Sequence, residues 1–422
     1  MSSVHIALFG HGVVGGGVSR ILTRDKISLS QKAGVPIELS AICTKNPQDD
    51  AEFFAHHHDL FRSAEEIFAD PQISIVCECI GGDTIAYDFV KTALKSGKHV
   101  VTANKKMIAK HFLELSELSQ KHGTSLLFEA AVGGGIPCLT ALRNGISGDR
   151  ITELQGILNG TTNFILTEME EQGVEFADVL SEAQNKGYAE ADPTDDVDGF
   201  DAAYKLSILI ALAFGVYFPP EKIDTTGISS LTSADFLYAR TLGKKIKLIA
   251  HAKKTKDGVL ASVSPTLLPL SSRLAKTDGV LNAINIIGTY NTQGNFLSGE
   301  GAGRFPTAAA IVSDIISIAR GEEATLFSRP LAKHAAPKKQ AYYLRFLVHD
   351  TPGIVGTIGT IFGEHEISID AVHQIDHQKN PAHFMLTTMP VEHDVFENAL
   401  DRVRSCAFNV APPLVLPIQE EE

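Results

Sequence analysis

Across residues 1–150, short apolar runs alternate with stretches in which apolar residues recur every three to four positions. The runs at Val4–Phe9, Ile37–Cys43, Ser74–Ile80, His99–Val101 and Ser125–Glu129 predict strands. The helical spacing between them predicts helices at Gly15–Thr23, Ala64–Phe68, Ile85–Lys95 and Phe112–His122. Strands and helices alternating at these lengths form right-handed βαβ units. The expected class is therefore α/β, with a Rossmann-type, doubly wound parallel sheet.

Residues 151–300 read differently. A strand at Ile151–Leu158 leads to helices at Asn163–Glu171, Asp178–Lys186 and Asp201–Phe214, followed by strands around Lys247–His251, Gly258–Pro265 and Asn282–Thr289. This predicts a second α/β domain for catalysis and subunit pairing, with 299–325 packing back onto the first domain. Ser328–Gln340 carries two prolines and three lysines without an apolar period, as a linker would. From 341 to 422 the pattern restarts: strand Tyr342–Val348, turn Asp350–Gly353, helix Ile354–Gly363, strands Ile367–Gln374 and Ala382–Met389 joined by a polar turn at Asp376–Asn380, helix Val395–Ser405 and a last strand near Pro413–Pro417. That order is a ferredoxin-like unit.

The length of 422 residues fits about three domains. With 44% apolar residues there is ample core, and a net charge of −13 repels phosphate backbones and anionic lipid. No nucleic-acid or membrane partner is expected, while a local pocket for a small anionic cofactor is compatible with that charge. The five cysteines, Cys43, Cys77, Cys79, Cys138 and Cys406, are odd in number and scattered, as reduced core residues are. The longest apolar run, Leu206–Phe218, has 13 residues, too few to span a bilayer, and no signal peptide precedes the first strand. A cytoplasmic protein is expected. His56-His57-His58 reads as a solvated helix end or loop before it reads as a metal tract.

Gly10-His11-Gly12-Val13-Val14-Gly15 follows the first strand and opens the first helix, the context in which G-x-G-x-x-G binds a dinucleotide. Glycines permit the tight turn, and the free N–H groups of the helix start attract a pyrophosphate. The second strand ends in Cys43-Thr44-Lys45 with no acid at its tip, so Lys45 is either a contact for the NADP 2′-phosphate or a solvated lysine. Lys105 stands just past a strand's carboxyl end, where ligands sit in open α/β sheets, and is either catalytic or a loop lysine. Glu129, followed by Val132, Gly133, Gly134, Gly135 and Ile136, offers oxygen ligands to a hard cation or a hinge between domains. Between Glu190 and Asp201 lie six carboxylates, before a helix that is apolar nearly all round. Lys205, one turn after Asp201, is thus a buried lysine with carboxylates for partners, either functional or a structural ion pair. Gly299–Thr307 is a second glycine-rich loop, either a further phosphate contact through Gly303 or a plain helix start.

The segments VVTANK (Val100–Lys105), FEAAVGGGIP (Phe128–Pro137), GILNGTTNFIL (Gly156–Leu166), GYAEADPTDDVDGFDAAYK (Gly187–Lys205) and GEGAGRFPT (Gly299–Thr307) together resemble homoserine dehydrogenase. YYLRFLVHDTPGIVGTIG (Tyr342–Gly359) resembles the start of an ACT domain, an amino-acid-sensing module, and nothing resembles an aspartate kinase, so the monofunctional form is expected. The resemblance implies reversible NAD(P)H-dependent reduction of L-aspartate 4-semialdehyde to L-homoserine. It implies Lys205 as proton donor and Lys105 as second catalytic lysine, with Asp196 and Asp201 completing the pocket and Glu190 holding the substrate's amino group. Gly10, Gly12, Val13, Val14, Gly15, Lys45, Lys105, Gly187 and Gly303 would bind NADP or NAD. A sodium or similar ion would lie on the Glu129 side chain and the carbonyls of Val132, Gly134 and Ile136. Asp350, Gly353 and Ile354 would bind an amino-acid effector, threonine first, in a homodimer or homotetramer. The Thr225-Thr226-Gly227-Ile228 segment departs from the family's Glu-Gly-Ile. Competing readings are a non-catalytic amino-acid sensor and an oxidoreductase acting on another amino-acid-derived aldehyde.

Overall fold

A computed structural model describes residues 3–322, 329–337, 339–374 and 381–420; the Asp376–Asn380 turn, Ser328 and Lys338 lie outside them. The first elements are β1 (Val4–Phe9), α1 (Val13–Arg24), α2 (Lys26–Ala33), β2 (Ile37–Cys43), α3 (Ala51–His57), α4 (Ala64–Ala69), β3 (Ile73–Glu78), α5 (Ile85–Lys95), β4 (His99–Thr102), α6 (Lys105–His122), β5 (Leu126–Leu127) and the short α7 (Cys138–Thr140). Next come β6 (Ile151–Ile157), α8 (Gly160–Gln172), α9 (Phe176–Asn185), α10 (Thr194–Val197), α11 (Phe200–Phe214), β7 (Asp224–Thr225), α12 (Ser233–Thr241), β8 (Lys244–Lys254), β9 (Val259–Pro269), β10 (Leu281–Gly288), β11 (Asn295–Glu300) and α13 (Arg304–Ala319). The chain closes with β12 (Lys339–Val348), α14 (Ile354–Glu364), β13 (Ile369–His373), β14 (Ala382–Thr388), β15 (Val391–Glu392), α15 (His393–Arg404) and β16 (Asn409–Ile418).

These elements form two compact units, the first comprising Met1–Leu154, Asp201–Ile223 and Asn282–Ala332, the second Gln155–Phe200, Asp224–Leu281 and Lys333–Glu422. In the first, parallel strands lie in the order β2-β1-β3-β4-β5. Ile6, Leu8, Ile75, Cys77 and Val101 from the sheet meet Val18 and Leu22 of α1 and Ile311 and Ile315 of α13 in one buried cluster. The α1–α13 seam needs a residue without a side chain: a Cβ on Gly17 would stand 2.8 Å from the Arg304 carbonyl oxygen and 3.0 Å from Ala308 Cβ. The sheet is thus clothed by a helix from almost 300 residues later in the chain.

The second unit has the sheet order β8-β9-β16-β12-β14-β13, with β7 on β9 and β15 on β12. The ferredoxin-like part (β12, α14, β13, β14, α15, β16) packs Leu344, Phe346 and Leu386 against Ile358, Phe362, Phe396 and Leu400. Its outer strand β16 continues in parallel onto β9, with Ile418 beside Leu267. Where a loose linker was expected, the chain is bonded along its described length: Tyr217 and Ala332 exchange backbone bonds with one another's neighbourhood in the first unit (Tyr217 N–H to Pro330, 2.9 Å; Ala332 N–H to Tyr217, 2.8 Å), and Val259 does so with Lys333 and Ala335 in the second (2.8 and 2.9 Å).

Several element bounds differ from expectation. α6 begins at Lys105, seven residues before the periodic stretch that predicted it, because Asn104 caps it by accepting the Met107 N–H at 3.1 Å. β5 is confined to Leu126–Leu127, and Glu129 falls in a 3₁₀ turn. α2, α3, α12 and β11 were not expected.

Candidate active site

The first strand delivers Gly10 into a turn with φ +90°, where its N–H donates to the Cys43 carbonyl at 2.8 Å. A Cβ on Gly15 would come within 2.0 Å of the Gly10 carbonyl oxygen, so the turn closes only with glycine there. Gly12, at the N-cap of α1, faces open space, and Val13 beside it is 63% exposed. A tight, side-chain-free turn with a bare helix start fits a pyrophosphate. Behind it His11 is buried, its Nε2 2.8 Å from the Ser19 hydroxyl and its ring against Phe53 and Phe61. Burial pushes its pKa below the ordinary value, so the imidazole is neutral and structural. Lys45 is exposed beyond β2. Nearby Arg20 is already engaged bidentately by Asp50, at 2.5 and 2.9 Å.

At the carboxyl ends of β3 and β4, a buried network fixes the loops. Glu78 accepts the N–H groups of Ile80 (2.6 Å) and Gly81 (3.0 Å) and the Thr102 hydroxyl (2.5 Å). Thr102 Oγ1 accepts the Asn104 N–H at 2.9 Å, and the Asn104 amide donates to the Gly82 carbonyl. Lys105 follows as the first residue of α6. Its Nζ lies 2.6 Å from Asp201 Oδ1, and Lys205 Nζ lies 2.6 Å from Asp201 Oδ2. One carboxylate, 2% exposed, is therefore held between two ammonium groups on different helices. Burial alone would raise the Asp201 pKa, but the charges of Lys205 and Lys105 and their hydrogen bonds outweigh it and hold it far below the usual carboxylate range. Lys205 is 7% exposed, and the Lys105 side chain is 43% exposed. The cluster carries a net positive charge suited to an oxygen that becomes anionic.

Glu129 commits its side chain elsewhere. Oε1 accepts the Leu139 N–H (2.8 Å), and Oε2 accepts the Thr140 N–H (2.6 Å) and hydroxyl (2.5 Å), with the Arg143 guanidinium 3.3 Å away. It caps α7, favourably placed against the helix dipole. The Ile136 carbonyl accepts the Cys138 N–H at 2.7 Å, and the Val132 carbonyl faces the Cys138 thiol at 3.4 Å. Asp314, inside α13, accepts the Glu129 N–H at 2.8 Å and lies 3.7 Å from Arg143. Burial, only partly offset by Arg143, raises its pKa to about 7. Among the described residues no group of three or more His, Cys, Asp or Glu side chains converges as a metal centre.

In the second unit, Asn159 caps α8 by accepting the Thr162 N–H at 2.8 Å, and its amide donates to Asp196 at 2.7 Å. Glu190 is exposed, and so is Gly187 with φ +76° after α9. Gly303, with φ +119°, is the N-cap of α13 in the first unit. In the C-terminal part Asp350 is exposed, Gly353 (φ +99°) caps α14 and Ile354 is buried.

Comparison with known proteins decides the family. The sequence profile of homoserine dehydrogenase matches residues 137–316, that of the homoserine dehydrogenase NAD-binding domain residues 10–129, and that of the ACT domain residues 342–408. The homoserine dehydrogenase of Pseudomonas aeruginosa is 40% identical over 418 residues, which cover 95% of this chain and 94% of that protein. The chain belongs to the homoserine dehydrogenase family. It is accordingly an NAD(P)-dependent oxidoreductase with a C-terminal ACT domain. The crystal structure of a homoserine dehydrogenase from Thiobacillus denitrificans superposes with a TM-score of 0.92 at 38% identity, covering 99% of this chain and 98% of that one. A hyperthermophilic archaeal homoserine dehydrogenase in complex with NADPH superposes with a TM-score of 0.65 at 28% identity, covering 77% of this chain and 100% of that one. No helix among the described residues is long and apolar enough to cross a membrane.

Five polar groups of this homoserine dehydrogenase went unremarked in the sequence: Glu78, His11, Arg143, Asp314 and Lys247. Lys247 is fully buried on β8, bonded to Asn163 Oδ1 (3.0 Å), the Thr277 carbonyl (2.9 Å) and Asp278 (2.7 Å). A charged residue at the end of an otherwise apolar strand was the available signal for Glu78, whereas Lys247 is one of five lysines on β8. For Arg143, whose partners are distant in sequence or on another turn, there was none.

Proposed function

We propose that this homoserine dehydrogenase reduces L-aspartate 4-semialdehyde reversibly to L-homoserine, with Lys205 as the proton donor. The observation that carries this is the Asp201 carboxylate held between two ammonium groups at 2.6 Å each. The bound nicotinamide supplies a hydride to the aldehyde carbon. As charge develops on the aldehyde oxygen, Lys205 holds a proton for it, and Lys105 adds a second positive charge. Asp201 keeps both ammonium groups in place, and its low proton affinity bars it from taking their protons. Glu190 takes the substrate's α-ammonium as a charge-assisted contact, beside Asp196 held by Asn159.

NADP is the favoured cofactor. What supports this is the tip of β2, where exposed Lys45 stands and no acid follows Cys43 before Asn46. Gly10, Gly12, Val13, Val14 and Gly15 cradle the pyrophosphate, with Gly187 and Gly303 as further contacts. A sodium-like ion would lie on the Glu129 side chain and the main-chain carbonyls of Val132, Gly134 and Ile136. The ACT domain binds threonine around Asp350, Gly353 and Ile354 in a homodimer or homotetramer. Five free cysteines suit the reducing cytoplasm.

The test is a matrix of initial rates: aspartate semialdehyde with NADPH and NADH, homoserine with NADP and NAD, each with and without threonine. Turnover of both substrates, preference for NADPH and inhibition by threonine are expected. Lys205→Ala should lower turnover at least about a hundredfold with cofactor binding retained. Near-normal turnover in that variant would remove Lys205 from the mechanism.

A further inference from the structure

Glu78 has no role in the chemistry just described, yet it is a carboxylate 1% exposed at the end of a central strand. Among the described residues its partners are neutral donors: the N–H groups of Ile80 and Gly81 and the Thr102 hydroxyl. An amide here would still accept the Ile80 and Gly81 N–H groups on its oxygen and donate to Thr102 Oγ1, whose second lone pair stays with the Asn104 N–H. These bonds are linked in a chain. They run from Glu78 through Thr102 to Asn104, whose side chain caps α6 and grips Gly82. Lys105 is the next residue.

The start of α6 needs such an anchor. His111 departs from helical geometry (φ −112°, ψ 20°), so the turn that carries Lys105 is separated by a kink from the rest of the helix. The Lys105 side chain is also half-exposed, with the freedom to leave Asp201 for water.

We infer that Glu78 is a positioning residue for Lys105: through Thr102 and Asn104 it fixes the start of α6 so that the Lys105 ammonium stays on Asp201. The inference rests on the reading of Lys105 and Lys205 as the reacting lysines. If Lys105 is released, Lys205 loses a like charge beside it and gains the whole carboxylate, so the alkaline limb of the kcat profile moves to higher pH.

The experiment compares Glu78→Ala, Glu78→Gln, Thr102→Val and Lys105→Ala in the full chain, together with the double variants that combine Lys105→Ala with each of the first three. Glu78→Ala and Thr102→Val should lower kcat about tenfold or more, as small misplacements of a reacting group do. KM should change little, the alkaline limb should rise, and Glu78→Gln should recover most of the loss. On a Lys105→Ala background none of them should lower kcat further. Should Glu78→Ala fail to fold, Thr102→Val makes the same comparison. Losses that multiply with that of Lys105→Ala, or fewer NADPH-binding sites each working at the normal rate and pH profile, would overturn the relay. Normal kcat in Lys105→Ala itself would instead sink the reading beneath it, and the relay with it.

Discussion

Asp201→Asn removes one charge and almost no volume from the two-lysine cluster. Both of its ion pairs are 2.6 Å long, but they differ in environment: the Lys205 side chain is 9% exposed and that of Lys105 43%. Lys105 can turn into water, and a pair of its exposure contributes about 0–1 kcal/mol. Lys205 cannot, and stripping a buried ion of its partner costs about 3–5 kcal/mol. Shedding its proton relieves part of that cost, so a loss of about 3 kcal/mol is expected at neutral pH, shrinking in alkali. For a unit of this size that is roughly 6–12 °C in Tm. The assay is thermal unfolding between pH 6 and 10, beside kcat, which should fall at least about a hundredfold. Lys205→Met added to Asp201→Asn should restore most of the stability and none of the activity. An Asp201→Asn protein with unchanged Tm, or a double variant no more stable than the single one, would refute the view that Asp201 serves to hold a buried ammonium.

Asp314 has its proton affinity raised by burial, to a pKa of about 7. A carboxyl that keeps its proton longer folded than unfolded stabilises the fold in acid, and that contribution is lost as pH rises through about 7. Asp314→Asn should therefore gain Tm relative to wild type between pH 5 and 8; parallel curves would disprove it. Gly12→Val should keep the wild-type Tm and weaken NADPH binding at least about tenfold, because its side chain enters the space left for the phosphates. Gly15→Val should unfold the turn itself, and calorimetric titration beside thermal melts separates the two. Arg345→Met strands Asp235, a fully buried carboxylate that its Nε meets at 2.7 Å and the Tyr343 hydroxyl at 2.8 Å. A loss of about 3 kcal/mol is expected, largely recovered by adding Asp235→Asn, with denaturant unfolding as the measure.

The sequence pattern reached the lysine cluster unevenly. Lys205 was legible because its partner is four residues away on a helix with no polar face, so spacing and burial gave the same answer. Lys105 was ambiguous because the apolar periodicity that predicted its helix begins seven residues later; the N-cap Asn104 was a start signal left unread. The α12 start is similar, a Thr232–Asp235 capping box preceding a weakly periodic helix. Glu129 shows the other limit. The donors to this carboxylate belong to a helix start ten residues on, and no local pattern joins the two. Contacts such as Asp235 with Arg345, or Leu267 with Ile418, join residues more than a hundred positions apart through a single bond or bridge. No local pattern encodes them.

The parallel seam between β9 and β16 ties the ACT segment to the strands beside it. A chain cut short after the catalytic part would free the Leu267 carbonyl on β9 that the Gln419 N–H now meets at 2.9 Å and leave that end of the strand bare. Such a bare rim is a template for pairing with other chains. Truncation after the catalytic part would then favour aggregation, whereas point changes around Asp350 would leave the rim covered.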